Sequence, residues 1–172
     1  MEVSFGGASF SLPDGWSVTE PEGARAWTEV DLVTGTDVQH SSRTLCVGPD
    51  GAECGLRMYH GDAPGHEGFQ GWDDDGAWPW FTSTDVGTCP VVEPGVGFDG
   101  VQPVGGEYLP VDSGSRAVGD QAAVYRRWDV VCEASGYAYS PRSWHLPEAG
   151  IVVIDELGQP ETEGVLASFR FE

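Results

Sequence analysis

Four aromatic side chains lie close together in the stretch of the chain with the least regular sequence pattern. They are Trp72, Trp78, Trp80 and Phe81. Indole rings held in an ordered loop offer a large rigid surface with a polar N–H, so they can stack on sugar faces or anchor a protein partner. We therefore predict a ligand-binding loop over residues 69–81. The alternative is that these rings fold back and form a small core beneath the loop.

Three adjacent carboxylates, Asp73, Asp74 and Asp75, interrupt the aromatic cluster. Oxygen ligands of this kind suit Ca²⁺, although the three positions lack the alternate spacing of an EF-hand loop. The carboxylates would also serve as acceptors for ligand hydroxyl groups. The sequence thus predicts either a weak Ca²⁺ site or a solvated run of charges, and it indicates no other cofactor.

Two histidines raise the alternative of an enzyme. His60 and His66 are each followed within two residues by a carboxylate, Asp62 and Glu67. Imidazole together with carboxylate can bind zinc or transfer protons in a small secreted hydrolase. The Gly and Pro residues between the two histidines impose no rigid spacing, however, so solvated loop histidines are the simpler interpretation.

The four cysteines indicate an oxidising compartment. Cys46 and Cys54 flank Pro49-Asp50-Gly51, which has the composition of a turn between two strand-like segments. A disulfide across this predicted hairpin leaves Cys89 to pair with Cys132, although four cysteines allow three pairings and buried free thiols are a further alternative. Because disulfides persist outside the cytoplasm, we predict an extracytoplasmic protein, secreted or membrane-anchored, whose signal or anchor lies outside this sequence.

The composition excludes several classes of protein. The 172 residues carry 8 basic and 28 acidic side chains, which give a formal net charge of −20. This charge repels phosphate backbones and anionic headgroups, so we expect no nucleic-acid partner. No apolar run is long enough for membrane insertion by this segment. Lys and Asn are absent, as expected of a GC-rich bacterial genome, so part of the acidity is compositional.

Strand patterns dominate the chain. The clearest strand is predicted over residues 123–132, and a buried central strand over 150–155. A short helix is predicted over 161–171, with Val165, Leu166 and Phe169 on its inner face. The length suits one domain, residues 1–172. We predict a strand-rich α+β fold, a curved antiparallel sheet with one or two short helices, and an all-β sandwich is the alternative.

The two ends of the chain resemble a known family. The segment Phe10-Ser11-Leu12-Pro13-Asp14-Gly15-Trp16 resembles the F-x-x-P-x-G-W opening motif of PsbP-like domains, a group that includes the LpqN-like lipoproteins of actinobacteria. Residues 165–170 are similar to the closing helix of that group. The resemblance covers only these two segments. It implies a curved antiparallel sheet with helices on its faces, and a binding module without catalytic activity.

These patterns and the resemblance together predict a disulfide-stabilised, non-catalytic binding module of the cell envelope or the secreted fraction of a high-GC Gram-positive bacterium, such as an actinobacterium. Its expected partner is an envelope glycan or a protein. The first alternative is a small secreted hydrolase that uses carboxylates or His60 and His66. The second alternative is a structural ectodomain of an anchored protein.

Overall fold

The structure is a computed structural model, and it describes residues 1–51, 54–62, 80, 87–91, 94–95 and 97–172. Strands make up most of the regular structure in these ranges. In chain order the elements are β1 (Glu2–Phe5), β2 (Ala8–Ser11), β3 (Trp16–Val30), β4 (Asp37–Pro49), β5 (Leu56–Gly61), β6 (Val101–Pro103), β7 (Asp112–Val118), β8 (Gln121–Arg127), β9 (Val130–Cys132), β10 (Ala138–Tyr139), β11 (Arg142–Leu146), β12 (Ile151–Asp155), α1 (Thr162–Ala167) and β13 (Arg170–Phe171).

The centre of the fold is a seven-stranded antiparallel sheet with the strand order β3-β4-β5-β12-β11-β8-β7. Strand β12 lies in the middle, and its side chains are buried on both faces of the sheet. Ile151 and Val153 belong to one hydrophobic core, while Val152 and Ile154 belong to the other. This double burial explains why the strand is a continuous apolar run rather than an alternating one.

The first face of the sheet is covered by the small sheet β1-β2-β13 and by α1. The Phe10 ring stacks on Phe169 with the ring centroids 4.6 Å apart. Val165 and Leu166 of α1 are buried in the same core, as the helical pattern predicted. The first core therefore joins the two ends of the chain to the middle of the large sheet.

The second face is covered by the small sheet β10-β9-β6 together with Trp80 and Cys89. Trp128, which lies between β8 and β9, is 1% exposed and donates its indole N–H to the carbonyl of Tyr108. The large sheet is thus the middle layer of three.

The prediction of a strand-rich fold with an antiparallel sheet and one short helix is confirmed. The prediction of one strand over residues 123–132 is wrong, because the chain leaves the large sheet after Arg127 and joins the small sheet at Val130. At the break, Trp128 donates its backbone N–H to Pro141. Alternation of side chains continues across such a junction, so the pattern alone does not reveal a change of partner strand.

In the described part of the chain, α1 is the one helix and it has 6 residues, which is too short to cross a bilayer.

Candidate functional site

A cavity of about 710 Å³ lies on the second face of the large sheet, between the two disulfides. We call it the disulfide cavity. Its volume is within the range of roughly 300–1,000 Å³ that is typical of small-molecule sites. The polar residues that line it are Thr19, Glu20, Arg57, Thr88, Glu156 and Gln159.

Strand register brings the charged residues of this cavity together. Glu20 of β3 is opposite Cys46 of β4, Cys46 is opposite Arg57 of β5, and Arg57 is opposite Ile154 of β12. Residues directly opposite one another in a sheet point to the same face. Glu156 is two residues beyond Ile154, just after β12 ends. The row therefore places both carboxylates and the guanidinium on one side of the sheet.

An irregularity in β3 turns Thr19 and Glu20 into the cavity. The pairing of β3 with β4 shifts register between Val18 and Glu20. An extra residue at such a point re-aims the neighbouring side chains. Thr19 Oγ1 is buried and has no hydrogen-bond partner among the residues that the structure describes. A buried hydroxyl without a partner is costly, so Thr19 Oγ1 is an unsatisfied polar atom in a residue of the cavity wall.

Both predicted disulfides are present, and each supplies one cysteine to the cavity lining. Cys46 and Cys54 are joined with their Cα atoms 5.4 Å apart, and Cys89 and Cys132 with theirs 5.5 Å apart. Cys54 and Cys89 line the cavity. The first bond ties the β4–β5 turn to the sheet, and the second ties residues 87–91 to β9. Two walls of the cavity are therefore covalently fixed.

Glu156 is the electrostatically unusual group of the site. Burial raises the pKa of its carboxyl group, while a hydrogen bond from Trp80 and the charge of Arg57 act in the opposite direction. Arg57 Nη1 lies 3.3 Å from Glu20 Oε2, so this guanidinium is already paired. A carboxyl group with a raised pKa in a cleft is typical of binding and catalytic sites.

The turn that follows β12 is held rigidly. The backbone N–H of Gln159 donates to Asp155 Oδ1 at 3.1 Å, and its carbonyl accepts from Arg142 Nη2 at 3.0 Å. The turn carries Glu156 and Gln159 into the cavity wall. Their positions consequently depend on a hydrogen-bond network that lies on the other side of β12.

Trp80 is a core residue rather than an exposed platform. It is 3% exposed, and its ring centroid lies 5.6 Å from Trp128, 6.2 Å from Tyr139 and 6.3 Å from Tyr108. This is the alternative considered from the sequence, in which the ring packs into a core. Its indole N–H donates a hydrogen bond to the carboxyl group of Glu156, so Trp80 helps to position this lining residue. Further predicted site residues lie outside the described ranges: Trp72, Trp78, Phe81, Asp73, Asp74, Asp75 and His66.

His60 lies on the opposite face of the sheet from the cavity. It follows Leu56 and Met58 on the first face, and its ring centroid is 6.1 Å from that of Phe5. Burial and, to a lesser degree, the charge of Arg43 lower the pKa of His60. The structure thus separates His60 from Arg57 and Glu156 by the thickness of the sheet, so it cannot act in the same site.

One set of potential metal ligands is found among the described residues, Cys89, Asp99 and Cys132. The two cysteines are oxidised, which removes their thiolates as ligands. Asp99 is buried and accepts hydrogen bonds from the N–H groups of Ala134 and Ser135 at 2.7 and 3.2 Å. These hydrogen bonds lower the pKa of Asp99. The carboxylate therefore has a structural role, since it holds the backbone of the turn at Ala134 and Ser135.

Comparison of the chain with protein-family models, curated protein sequences and solved structures finds no significant match. Sequence reasoning missed Thr19, Arg57 and Glu156, which come from three separate segments. The one local signal was a carboxylate pair, Asp155 and Glu156, at the end of a buried apolar strand.

Proposed function

We propose that this chain is a non-catalytic binding module of the bacterial cell envelope, secreted or membrane-anchored, and that its ligand enters the disulfide cavity. The observation that carries the proposal is the cavity lining, in which Arg57, Glu156, Thr88 and Gln159 offer hydrogen-bond donors and acceptors around a space of about 710 Å³. A concave site with a few convergent polar groups is the usual arrangement for recognising a small molecule.

The rigidity of the walls supports binding. Two disulfides and the hydrogen bonds of the turn after β12 hold the lining groups in place before a ligand arrives. A preorganised site loses little conformational entropy on binding, so more of the contact energy contributes to affinity. The disulfides also support a location outside the cytoplasm, where such bonds persist.

The chemistry of the lining favours a hydroxyl-rich ligand, and an envelope glycan is the class we propose. Thr19 Oγ1 has no partner among the described residues, and Glu156 and Gln159 supply further hydrogen-bonding groups. Sugar hydroxyl groups both donate and accept, so one ring can satisfy several such groups at once. A charge of −20 argues against polyanionic ligands.

Thermal unfolding of the oxidised protein with a panel of envelope glycans tests the proposal. A ligand at about 100 times its Kd adds about 2.7 kcal/mol, which raises Tm by several degrees. We expect Thr88→Trp, a change at an exposed rim residue, to abolish the shift. Ser115→Trp on the exposed edge strand β7 is the matched control and should retain it. Equal shifts in both variants, or no shift with any glycan, would overturn the proposal.

A hydrolase is the second candidate, and the observation that favours it is the pair of carboxylates Glu20 and Glu156 in one cavity. A carboxyl group with a raised pKa is suited to act as a general acid. Release of reducing ends from a glycan that stabilises the protein, lost in Glu156→Gln while the Tm shift remains, would establish the enzyme instead of the binding module.

A further inference from the structure

We infer that the disulfide cavity selects a ligand with a protonated amine, an amino sugar with a free amino group, and that Glu156 is its counter-ion. The inference rests on the proposed function and names its ligand class. Among the described residues, three charged side chains line the cavity: Glu20, Arg57 and Glu156. Because Glu20 and Arg57 form an ion pair at 3.3 Å, the remaining charge of these three is the carboxylate of Glu156.

Among the described residues, the groups near Glu156 compensate its charge only in part. Trp80 supplies one neutral hydrogen bond, and Arg57 is held by Glu20. Tyr139 also feels this charge, since burial and, to a lesser degree, the charge of Glu156 raise the pKa of that phenol. The indole hydrogen bond and the charge of Arg57 offset only part of the cost of burial, since the pKa of this half-buried carboxyl group is still raised. A ligand ammonium group in the cavity would offset the remainder directly, by a charge-assisted hydrogen bond.

The net negative charge of the whole chain also favours a cationic ligand. The chain has 8 basic side chains against 28 acidic ones, and several arginines are already paired. Arg43 pairs with Glu22, Arg116 with Asp112, and Arg142 with Asp155. The unpaired surplus is negative, so it concentrates cations near the surface and repels anions.

The neutral lining groups define the rest of the ligand. Thr19, Thr88 and Gln159 carry hydrogen-bonding groups without charge, and these residues line the same space as Glu156. They match hydroxyl groups better than an alkyl chain. An amino sugar combines one ammonium with several hydroxyls, whereas N-acetylation removes the charge and adds bulk at the same carbon.

Isothermal titration calorimetry with three β-1,4-linked disaccharides tests the inference. The free-amine disaccharide of glucosamine, its N,N′-diacetyl form and cellobiose share one skeleton and differ at carbon 2. We expect the free amine to bind about tenfold more tightly than the other two, as one charge-assisted hydrogen bond provides. In Glu156→Gln this advantage should fall to less than about threefold. Glu148→Gln, at an exposed turn residue outside the cavity, should preserve it.

The pH dependence provides a readout that a structural role of Glu156 would not produce. As pH rises through the raised pKa of Glu156 the carboxyl group ionises, and affinity for the free amine should rise with pH as long as the sugar amine stays protonated. Ammonium binding favours the ionised carboxylate, and titrations in buffers of different ionisation enthalpy should therefore show proton release. The two neutral disaccharides should show neither effect.

The outcomes separate the inference from the proposed function. Equal binding of the three disaccharides, or an amine preference that survives in Glu156→Gln, overturns the amine site and leaves a binding module. If none of the three binds but another glycan raises Tm through the cavity, the inference fails while the proposed function stands. If no glycan has any effect, both fail.

Discussion

Arg142 donates two hydrogen bonds to one oxygen of Asp155, from Nε at 3.2 Å and from Nη2 at 2.5 Å. Asp155 is completely buried. It also accepts from Thr162 Oγ1 at 2.8 Å and from the N–H groups of Gly158 and Gln159 at 2.8 and 3.1 Å. One carboxylate therefore joins β11, β12 and α1. It also holds the turn that forms part of the cavity wall.

Removal of this carboxylate should be among the most damaging single changes in the protein. Asp155→Ala leaves Arg142 without its buried partner and frees the backbone groups of the turn, so we expect a loss of about 3–5 kcal/mol. Denaturant unfolding followed by tryptophan fluorescence measures it. Glu163→Gln is the control, because it removes only an exposed partner of Arg142 and should cost less than about 1 kcal/mol. Similar losses in both variants would contradict the central role of Asp155.

The two disulfides should contribute unequally to stability. In the chain-entropy model the contribution grows with the loop that is closed, and the sequence separations are 43 for Cys89–Cys132 and 8 for Cys46–Cys54. Replacing the longer pair with alanine should cost about 4 kcal/mol and the shorter pair about 2.5 kcal/mol. Equilibrium unfolding of each double variant against the oxidised parent measures both. A larger loss from the shorter pair would contradict this order.

Glu156→Gln should stabilise the protein at neutral pH. Burial raises the pKa of Glu156 in the folded state above its ordinary value of 4.5. The favourable contribution of the protonated carboxyl is thus complete below pH 4.5 and is lost as pH rises through the folded-state pKa. The glutamine variant cannot ionise, so it should be more stable than the parent above that pKa and equal to it at lower pH.

Unfolding free energies measured from pH 4 to 8 check this prediction. Each tenfold increase in the proton affinity of Glu156 on folding corresponds to about 1.4 kcal/mol. The exposed Glu148→Gln variant should follow the parent curve throughout. A Glu156→Gln curve that runs parallel to the parent would show that the carboxyl group keeps its ordinary pKa in the folded protein.

Gly119 should not tolerate any side chain. It lies in the β7–β8 turn with φ +57°, and an added Cβ would collide with the carbonyl oxygen of Phe169. Its N–H also donates to Leu166 at 2.9 Å, which fixes the end of α1. Gly119→Ala should cost about 3 kcal/mol or more. Gly136→Ala, with φ +72° and open space around it, should cost only the strain of about 1–2 kcal/mol, and thermal unfolding compares the two.

Local chemistry in the sequence determined a good part of this protein. Asp50 and Gly51 form a turn directly after β4, β4 pairs with β5, and the cysteines on either side of the turn are joined, because turn composition and short-range spacing act within a few residues. The helix at Thr162–Ala167 follows from apolar residues at helical spacing. It ends earlier than predicted, since Arg170 and Phe171 pair with β2 instead. The point where the helix ends therefore depends on β2, which lies near the N-terminus of the chain.

Tertiary structure decided where the candidate site lies. Thr19, Arg57 and Glu156 are far apart in the sequence, and they meet because β3, β4, β5 and β12 are neighbours in one sheet. Strand order and register arise from long-range pairing, which leaves no local pattern in any single segment. The position of Trp80 could not be predicted from local sequence either. Its residue type is equally suited to a core or to a ligand platform, and only the surrounding rings of Trp128 and Tyr139 determine that it is buried.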